Sequence, residues 1–302
     1  MKRDILSVLD MKDDIEELID FGIEVKRNPK KYMESLKQKS LAMIFEKPST
    51  RTRTSFEVAM TQLGGHALYM NPKDLQLGRG ETIEDTARVL SRFVDGIIYR
   101  AFDHNMMITL AKNSTVPVIN ALDDYEHPAQ ILADLMTVKE KKGKLKGLKI
   151  SFIGDGNNVA RSLLFGSVLV GADFYLASPK GFELKKEDID KAMQVNKKGS
   201  KIVITNNPIE AAKDADVIYT DVWVSMGEES QKEEKEKIFR SYQVNGELVK
   251  HAKKDYIFMH CLPAHRGLEV TSDVIDGPNS VVFDEAENRL HAQKALLIKL
   301  LS

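Results

Sequence analysis

One cysteine, Cys261, stands in a chain of 302 residues. That scarcity excludes an intrachain disulfide and a cysteine-rich zinc site, and it suits a reducing compartment. An excess of charge of one sign is also missing, because 44 basic side chains face 45 acidic ones and leave a formal charge of −1. No global field therefore selects nucleic acid or an anionic membrane surface, and any anion must be recognised locally. No apolar run approaches the roughly 18 residues of a membrane span, and no apolar cleavable leader is recognisable at Met1. The expected setting is the cytoplasm, with neither nucleic acid nor membrane as a partner. No internal repeat is evident. The length suffices for two domains of about 150 residues, each with its own core.

What the chain does have is a cluster of hydroxyl and guanidinium groups at a helix start. Ser49-Thr50-Arg51-Thr52-Arg53-Thr54 follows Pro48 and precedes Phe56, Met60 and Leu63, which recur at helical spacing before Gly64-Gly65. The unpaired N–H groups and dipole of a helix N-terminus favour an anion. The hydroxyls add donors, and Arg51 and Arg53 can bind phosphate oxygens bidentately. An ordinary cap needs a single hydroxyl, so the pattern reads as a phosphate trap.

Short apolar runs alternate with helical patterns on both sides of this motif. Residues 41–45, 67–70, 96–99 and 117–120 read as strands, with helices over about 82–92 and 128–141. The basic, glycine-punctuated turn at 141–147 is the expected domain boundary, giving a first domain of residues 1–142 and a second of 143–286. Strand candidates of the second series are 148–153, 174–177, 201–204, 217–220, 256–259 and 281–283. Such alternation predicts an α/β protein of two doubly wound parallel-sheet domains. The charge-dense residues 228–237 read as a solvated loop or helix face.

Polar clusters fall where open parallel sheets place ligands, after strand ends. Gly154-Asp155-Gly156-Asn157-Asn158-Val159 is a partial dinucleotide fingerprint. Val159 occupies the place of the third glycine, and the next strand ends Leu176-Ala177-Ser178 with no carboxylate for a ribose. Nicotinamide binding is therefore disfavoured, while the two asparagines can serve a small polar ligand. Arg100 follows a strand, and His127-Pro128-Ala129-Gln130 opens a helix with an imidazole and an amide about one turn apart. Asp221-Val222-Trp223-Val224-Ser225-Met226-Gly227 and His260-Cys261-Leu262-Pro263-Ala264-His265 are two further strand-end loops. Cys261 has three readings here: a small buried hydrophobe, a nucleophile paired with His260 or His265, or a zinc ligand beside them.

Taken in order along nearly the whole chain, these motifs resemble the aspartate/ornithine carbamoyltransferase family. The hydroxyl-arginine run and His127-Pro128-Ala129-Gln130 are similar to segments common to the family, whereas Ser225-Met226-Gly227 and His260-Cys261-Leu262-Pro263 resemble its ornithine branch. The resemblance implies transfer of the carbamoyl group of carbamoyl phosphate to the δ-amine of L-ornithine, without metal or cofactor. Another amine, such as aspartate or putrescine, is the alternative acceptor. It implies that Ser49, Thr50, Arg51 and Thr52 bind the phosphate, with Arg100, His127 and Gln130 around the carbonyl and amide and Arg289 reaching back to the same substrate. Asn158, Asp221, Ser225 and Met226 would hold ornithine, and Cys261 and Leu262 would line the reacting centre. The implied catalytic set is Arg100, His127, Asp221 and Cys261. Gln76 would reach a neighbouring subunit of a homotrimer or an assembly of trimers, and residues 287–302 would form a helix packed on the first domain. A nicotinamide oxidoreductase and a non-catalytic binding protein are the rival classes, and citrulline formation separates them from a transferase.

Overall fold

The structure is a computed structural model that describes residues 2–224 and 229–302. Its chain divides into two compact units, one of Met1–Met136 with Glu287–Ser302 and the other of Thr137–Ala286. In the first, helix α1 (Ile15–Arg27) precedes strands β1 (Ser40–Phe45), β2 (His66–Met70), β3 (Gly96–Arg100) and β4 (Val118–Leu122). The sheet order is β2-β1-β3-β4 and every neighbouring pair is parallel. Parallel neighbours need crossovers, which α2 (Thr50–Gln62), α3 (Ile83–Leu90) and α4 (His104–Asn113) supply, and α5 (Pro128–Lys142) follows β4. β1 and β3 are buried almost throughout, which is why both read as continuous apolar runs. Ile44, Ile97, Tyr99, Met107 and Leu110 form part of one core cluster, in which burial of each Ile, Leu or Met side chain contributes about 1.5–3 kcal/mol. The strand order reverses between β1 and β3, so their carboxyl ends, which carry the Ser49 run and Arg100, form the ligand-binding switch point of this sheet.

The second unit repeats the logic with β5 (Lys149–Ile153), β6 (Asp173–Ala177), β7 (Ile202–Thr205), β8 (Val217–Tyr219) and β9 (Ile257–Met259), in the order β7-β6-β5-β8-β9 and all parallel. Helices α6 (Asn158–Val170), α7 (Lys186–Val195) and α8 (Pro208–Ala212) lie between β5 and β8. Then come α9 (Lys232–Phe239), α10 (Gly246–Val249), α11 (Ser272–Ile275) and the terminal α12 (Val282–Leu301). Here the order reverses between β5 and β8, which puts the Gly154–Asn158 turn and Asp221 at the switch point. Gly156 is required in that turn, because a Cβ there would meet the backbone of Phe182, Glu183 and Leu184 at 2.6–2.7 Å.

The structure corrects two expectations. Residues 281–283 are not a sixth strand. Val281 N–H donates to the Phe258 carbonyl at 3.0 Å, and the chain then enters α12. By contact the units divide at residues 136 and 137, inside α5, whose last residues pair within the second unit: Lys141 with Asp284 at 2.9 Å and Lys142 with Asp255 at 2.9 Å. The charged stretch is not wholly solvated either, since Lys235 on α9 is 4% exposed and its ammonium binds Asp155 at 2.8 Å. The part of α12 that belongs to the first unit packs on α1 through a glycine. A Cβ on Gly22 would lie 3.0 Å from Met136 Sδ and 3.6 Å from Ala292 Cα, so a larger residue would push the helices apart.

Candidate active site

The first unit holds the residues that the sequence leads one to expect around an anion. Ser49 is the N-cap of α2, in extended backbone, and its hydroxyl accepts the Thr52 N–H at 3.3 Å. Thr50 begins the helix, Arg51 is partly buried beside it, and Thr52 is buried with its hydroxyl accepting Arg289 Nη2 at 3.0 Å. Arg53 departs from the sequence reading. Two residues on from Arg51 it faces another side of the helix, where it is exposed, lies 3.7 Å from the Tyr69 ring centroid and pairs with Glu57 at 3.6 Å. Arg51 is thus the guanidinium of the run that is placed with Thr52, and Thr54 is likewise exposed.

Arg100 ends β3 and is buried, and His127 and Gln130 are buried at the start of α5. His127 reports their convergence. Burial, followed by the positive charges of Arg289, Arg100 and Arg51, holds its imidazole well below the ordinary value, so it is neutral near pH 7. Gln130 is gripped from both ends: Arg289 Nη1 donates to its Oε1 at 2.5 Å, and its Nε2 donates to Asp134 Oδ1 at 2.8 Å. The turn that delivers His127 is itself held by buried carboxylates. Asp123 accepts the N–H groups of Tyr125 at 2.8 Å and Glu126 at 2.7 Å, the Asn120 amide at 2.8 Å and His104 Nδ1 at 2.6 Å. That contact with Asp123 raises the His104 imidazole above its ordinary value. Lys47, one residue before Pro48, lies buried over the Phe102 ring at 4.6 Å, and burial followed by the charge of Arg100 lowers its ammonium. Gln76 is exposed at the start of a short 3-10 turn, Gln76–Arg79.

In the second unit the polar residues gather on Asp221, which is 7% exposed. Asn157, the N-cap of α6, accepts the Val159 and Ala160 N–H groups at 3.0 Å each, and its Nδ2 donates to Asp221 Oδ2 at 2.9 Å. The Cys261 thiol donates to Asp221 Oδ1 at 3.1 Å. Asn158 is the first residue of α6 and is partly buried. Leu262 takes a left-handed backbone, φ 58°, with its N–H donating to His260 Nδ1 at 2.9 Å. That bond leaves the His260 proton on Nε2, 3.4 Å from the buried Glu269. Burial would raise the Glu269 carboxyl, but His260 and the His265 N–H hold it below the usual range. The thiol is therefore not a wholly buried hydrophobe, and a carboxylate accepts from it. The triplet Asp221, His260 and Cys261 presents its potential ligand atoms within 4.8 Å of one another, so the group that could meet a cation includes Asp221 where the sequence suggested His265. Ser225 and Met226 lie outside the described residues.

Asn157 is one of the two asparagines that the sequence offers to a ligand, whereas Asp134 in the first unit and Lys235 in the second are partners that sequence reasoning does not select. Only the four-residue spacing of Gln130 and Asp134 on one helix carried a readable signal.

Two family models match the chain. Residues 3–140 match the carbamoyl-P binding domain of aspartate/ornithine carbamoyltransferase, and residues 146–300 match its Asp/Orn binding domain. A catabolic ornithine carbamoyltransferase of Thermoplasma volcanium is 67% identical over 302 residues, covering 100% of this chain and 99% of that protein. An anabolic ornithine carbamoyltransferase of Pyrococcus furiosus is 63% identical over 263 residues, or 87% of this chain and 84% of that one. The solved ornithine carbamoyltransferase structure from Pyrococcus furiosus superimposes with a TM-score of 0.95 at 57% identity, covering 99% of this chain and 97% of that one.

Proposed function

This chain belongs to the aspartate/ornithine carbamoyltransferase family, and we propose that it transfers the carbamoyl group of carbamoyl phosphate to the δ-amine of L-ornithine, giving L-citrulline and phosphate. The observation that carries the reading is the neutral, buried His127 in the field of Arg289, Arg100 and Arg51. Such a group of cations suits a doubly charged phosphate, and a neutral imidazole donates to a carbonyl oxygen without adding a further charge. Ser49, Thr50, Arg51 and Thr52 bind the phosphate, Arg100 stabilises the charge that develops as it leaves, and His127 polarises the carbonyl. Gln130 addresses the amide, and Arg289 supports both Gln130 and Thr52. Asn158, Asp221, Ser225 and Met226 hold ornithine.

The attacking nucleophile is the substrate's own amine. An alkylamine resembling lysine must lose a proton first, which costs about 4–5 kcal/mol at pH 7. Asp221, with Cys261 and Leu262 beside it, orients that amine. Phosphate is a good leaving group, so the amine attacks the carbamoyl carbon directly, the C–O bond to phosphate breaks, and the nitrogen's proton passes to the departing phosphate. Neither metal nor cofactor enters a step. Relatives named catabolic and anabolic share this framework, which accords with a site that runs the reaction in either direction.

The test is colorimetric citrulline production by the purified protein from carbamoyl phosphate and L-ornithine, with aspartate and putrescine as competing acceptors. Ornithine should be preferred by orders of magnitude, and product from aspartate or putrescine alone would overturn the choice of acceptor. The working unit is a cytoplasmic homotrimer, or an assembly of trimers, in which Gln76 serves a neighbouring subunit. Mixing Gln76→Ala with Arg51→Ala subunits should regenerate activity, and no recovery after verified exchange would contradict shared sites.

A further inference from the structure

The geometry points to Asp134 as the residue that sets acyl-donor specificity, by fixing which end of the Gln130 amide is offered to the substrate. The inference rests on the reading of the first unit as a carbamoyl phosphate site. A glutamine amide is nearly symmetric in shape, with an acceptor oxygen on one side and two N–H donors on the other, and nothing in its own chemistry decides which side faces a ligand. Here two neighbours decide it. Asp134, 0% exposed and four residues along α5, is a carboxylate that accepts from Gln130 Nε2 at 2.8 Å. Arg289, 2% exposed, can only donate, and it does so to Gln130 Oε1 at 2.5 Å while its other terminal nitrogen donates to Thr52. An inverted amide would set N–H against guanidinium and oxygen against carboxylate, two repulsive contacts in a dry setting.

The orientation so fixed keeps the Gln130 oxygen on the side of Arg289 and Thr52, the residue that follows Arg51 in the phosphate-binding turn. An amide oxygen has a second lone pair. A carbamoyl group brings an NH₂ that needs an acceptor, whereas an acetyl group of nearly the same shape brings a methyl that donates nothing to the Gln130 oxygen. Sites built to hydrogen-bond a substrate NH reject analogues that lack it far better than apolar pockets reject an extra group. Asp134 would thus be a positioning residue: it touches Gln130, and Gln130 discriminates carbamoyl phosphate from acetyl phosphate.

The experiment compares KM for carbamoyl phosphate with the inhibition constants of acetyl phosphate and inorganic phosphate, in wild type, Asp134→Leu and the isosteric Asp134→Asn. In Asp134→Leu the preference for carbamoyl over acetyl phosphate should fall about tenfold, the size of one lost hydrogen bond. In Asp134→Asn, which keeps an acceptor but also gains donors, it should fall by about threefold, a partial rescue. Inorganic phosphate, which has no acyl group, should bind both variants within about twofold of wild type, a change of well under 1 kcal/mol. An unchanged preference in the asparagine variant, which keeps size and fold, would overturn the inference, as would equal weakening of all three ligands. A wild type that makes citrulline but does not distinguish the two acyl phosphates would also overturn it, whereas a wild type that makes no citrulline would instead refute the function itself.

Discussion

The polar residues of the first unit and those of the second answer different electrostatic problems. Around His127 the charges of Arg289, Arg100 and Arg51 act together, and the imidazole stays neutral in response. Around Asp221 the charge is negative, and its oxygens already take hydrogen bonds from the Asn157 amide and the Cys261 thiol. Like charges gathered in a dry place repel, and an anion relieves that repulsion. A carboxylate held between neutral donors is in less need of relief and acts chiefly as a guide for a cationic ligand. Under the proposed function, the cationic group of the first unit would gain most from the phosphate itself, while Asp221 would aim an amine.

The sharpest way to break this division is Arg51→Ala. It should lower kcat/KM for carbamoyl phosphate about 10²- to 10³-fold while the KM for ornithine moves far less. Steady-state kinetics with each substrate varied in turn decide it, and an equal shift in both constants would erase the distinction. Next in size is Lys235→Ala, which removes a buried ammonium from the partly buried Asp155 carboxylate at the Gly154–Asn158 turn. Removing one member of a buried pair costs about 3–5 kcal/mol. Urea denaturation should show a loss near the lower end, and a change below about 1 kcal/mol would mean that Asp155 is as well served by water.

Cys261→Ser bears on the second unit alone. A hydroxyl can still donate to Asp221, so turnover should persist while KM for ornithine rises about tenfold, the scale of one weakened hydrogen bond. Near-abolition of activity would instead point to a thiolate nucleophile. The smallest expected effect is on pH. His104 is raised by Asp123, so its stabilisation is complete below the ordinary value of 6.5 and is lost as pH rises through its folded value. His127 is lowered by burial and the arginines, so its contribution is present above 6.5 and is lost as pH falls below it. Denaturation midpoints of His104→Gln should therefore diverge from wild type most at acidic to neutral pH and converge towards alkaline pH. A constant difference across the range would exclude titration of His104 as the cause.

Much of this was legible before any coordinates. Parallel strands buried on both faces announce themselves as apolar runs, and the strand-end rule picked out Arg100, His127 and Asp221 because a doubly wound sheet has few other places for ligands. What escaped reading depends on tertiary contact. Lys235 sits among charges that look alike in sequence, and only the approach of Asp155 makes it the buried one. Asp134 looks like any polar residue on a helix until its carboxylate is seen to hold one end of the Gln130 amide whose other end takes Arg289. Residues 281–283 have strand propensity, but after Val281 donates to Phe258 of β9 the chain enters α12, so context overrides propensity. Arg53 departs from the pattern for a simpler reason, since alternate residues of a helix do not share a face.

The central claim is direct attack by an amine on a donor held by a cluster of arginines, with both substrates bound at once. Initial rates of citrulline formation over a matrix of carbamoyl phosphate and ornithine concentrations test it most directly. Double-reciprocal lines should intersect to the left of the axis, with no carbamoylated Cys261 in rapid-quench mass spectrometry when ornithine is withheld. Parallel lines with a competent carbamoyl-Cys261 adduct would contradict it.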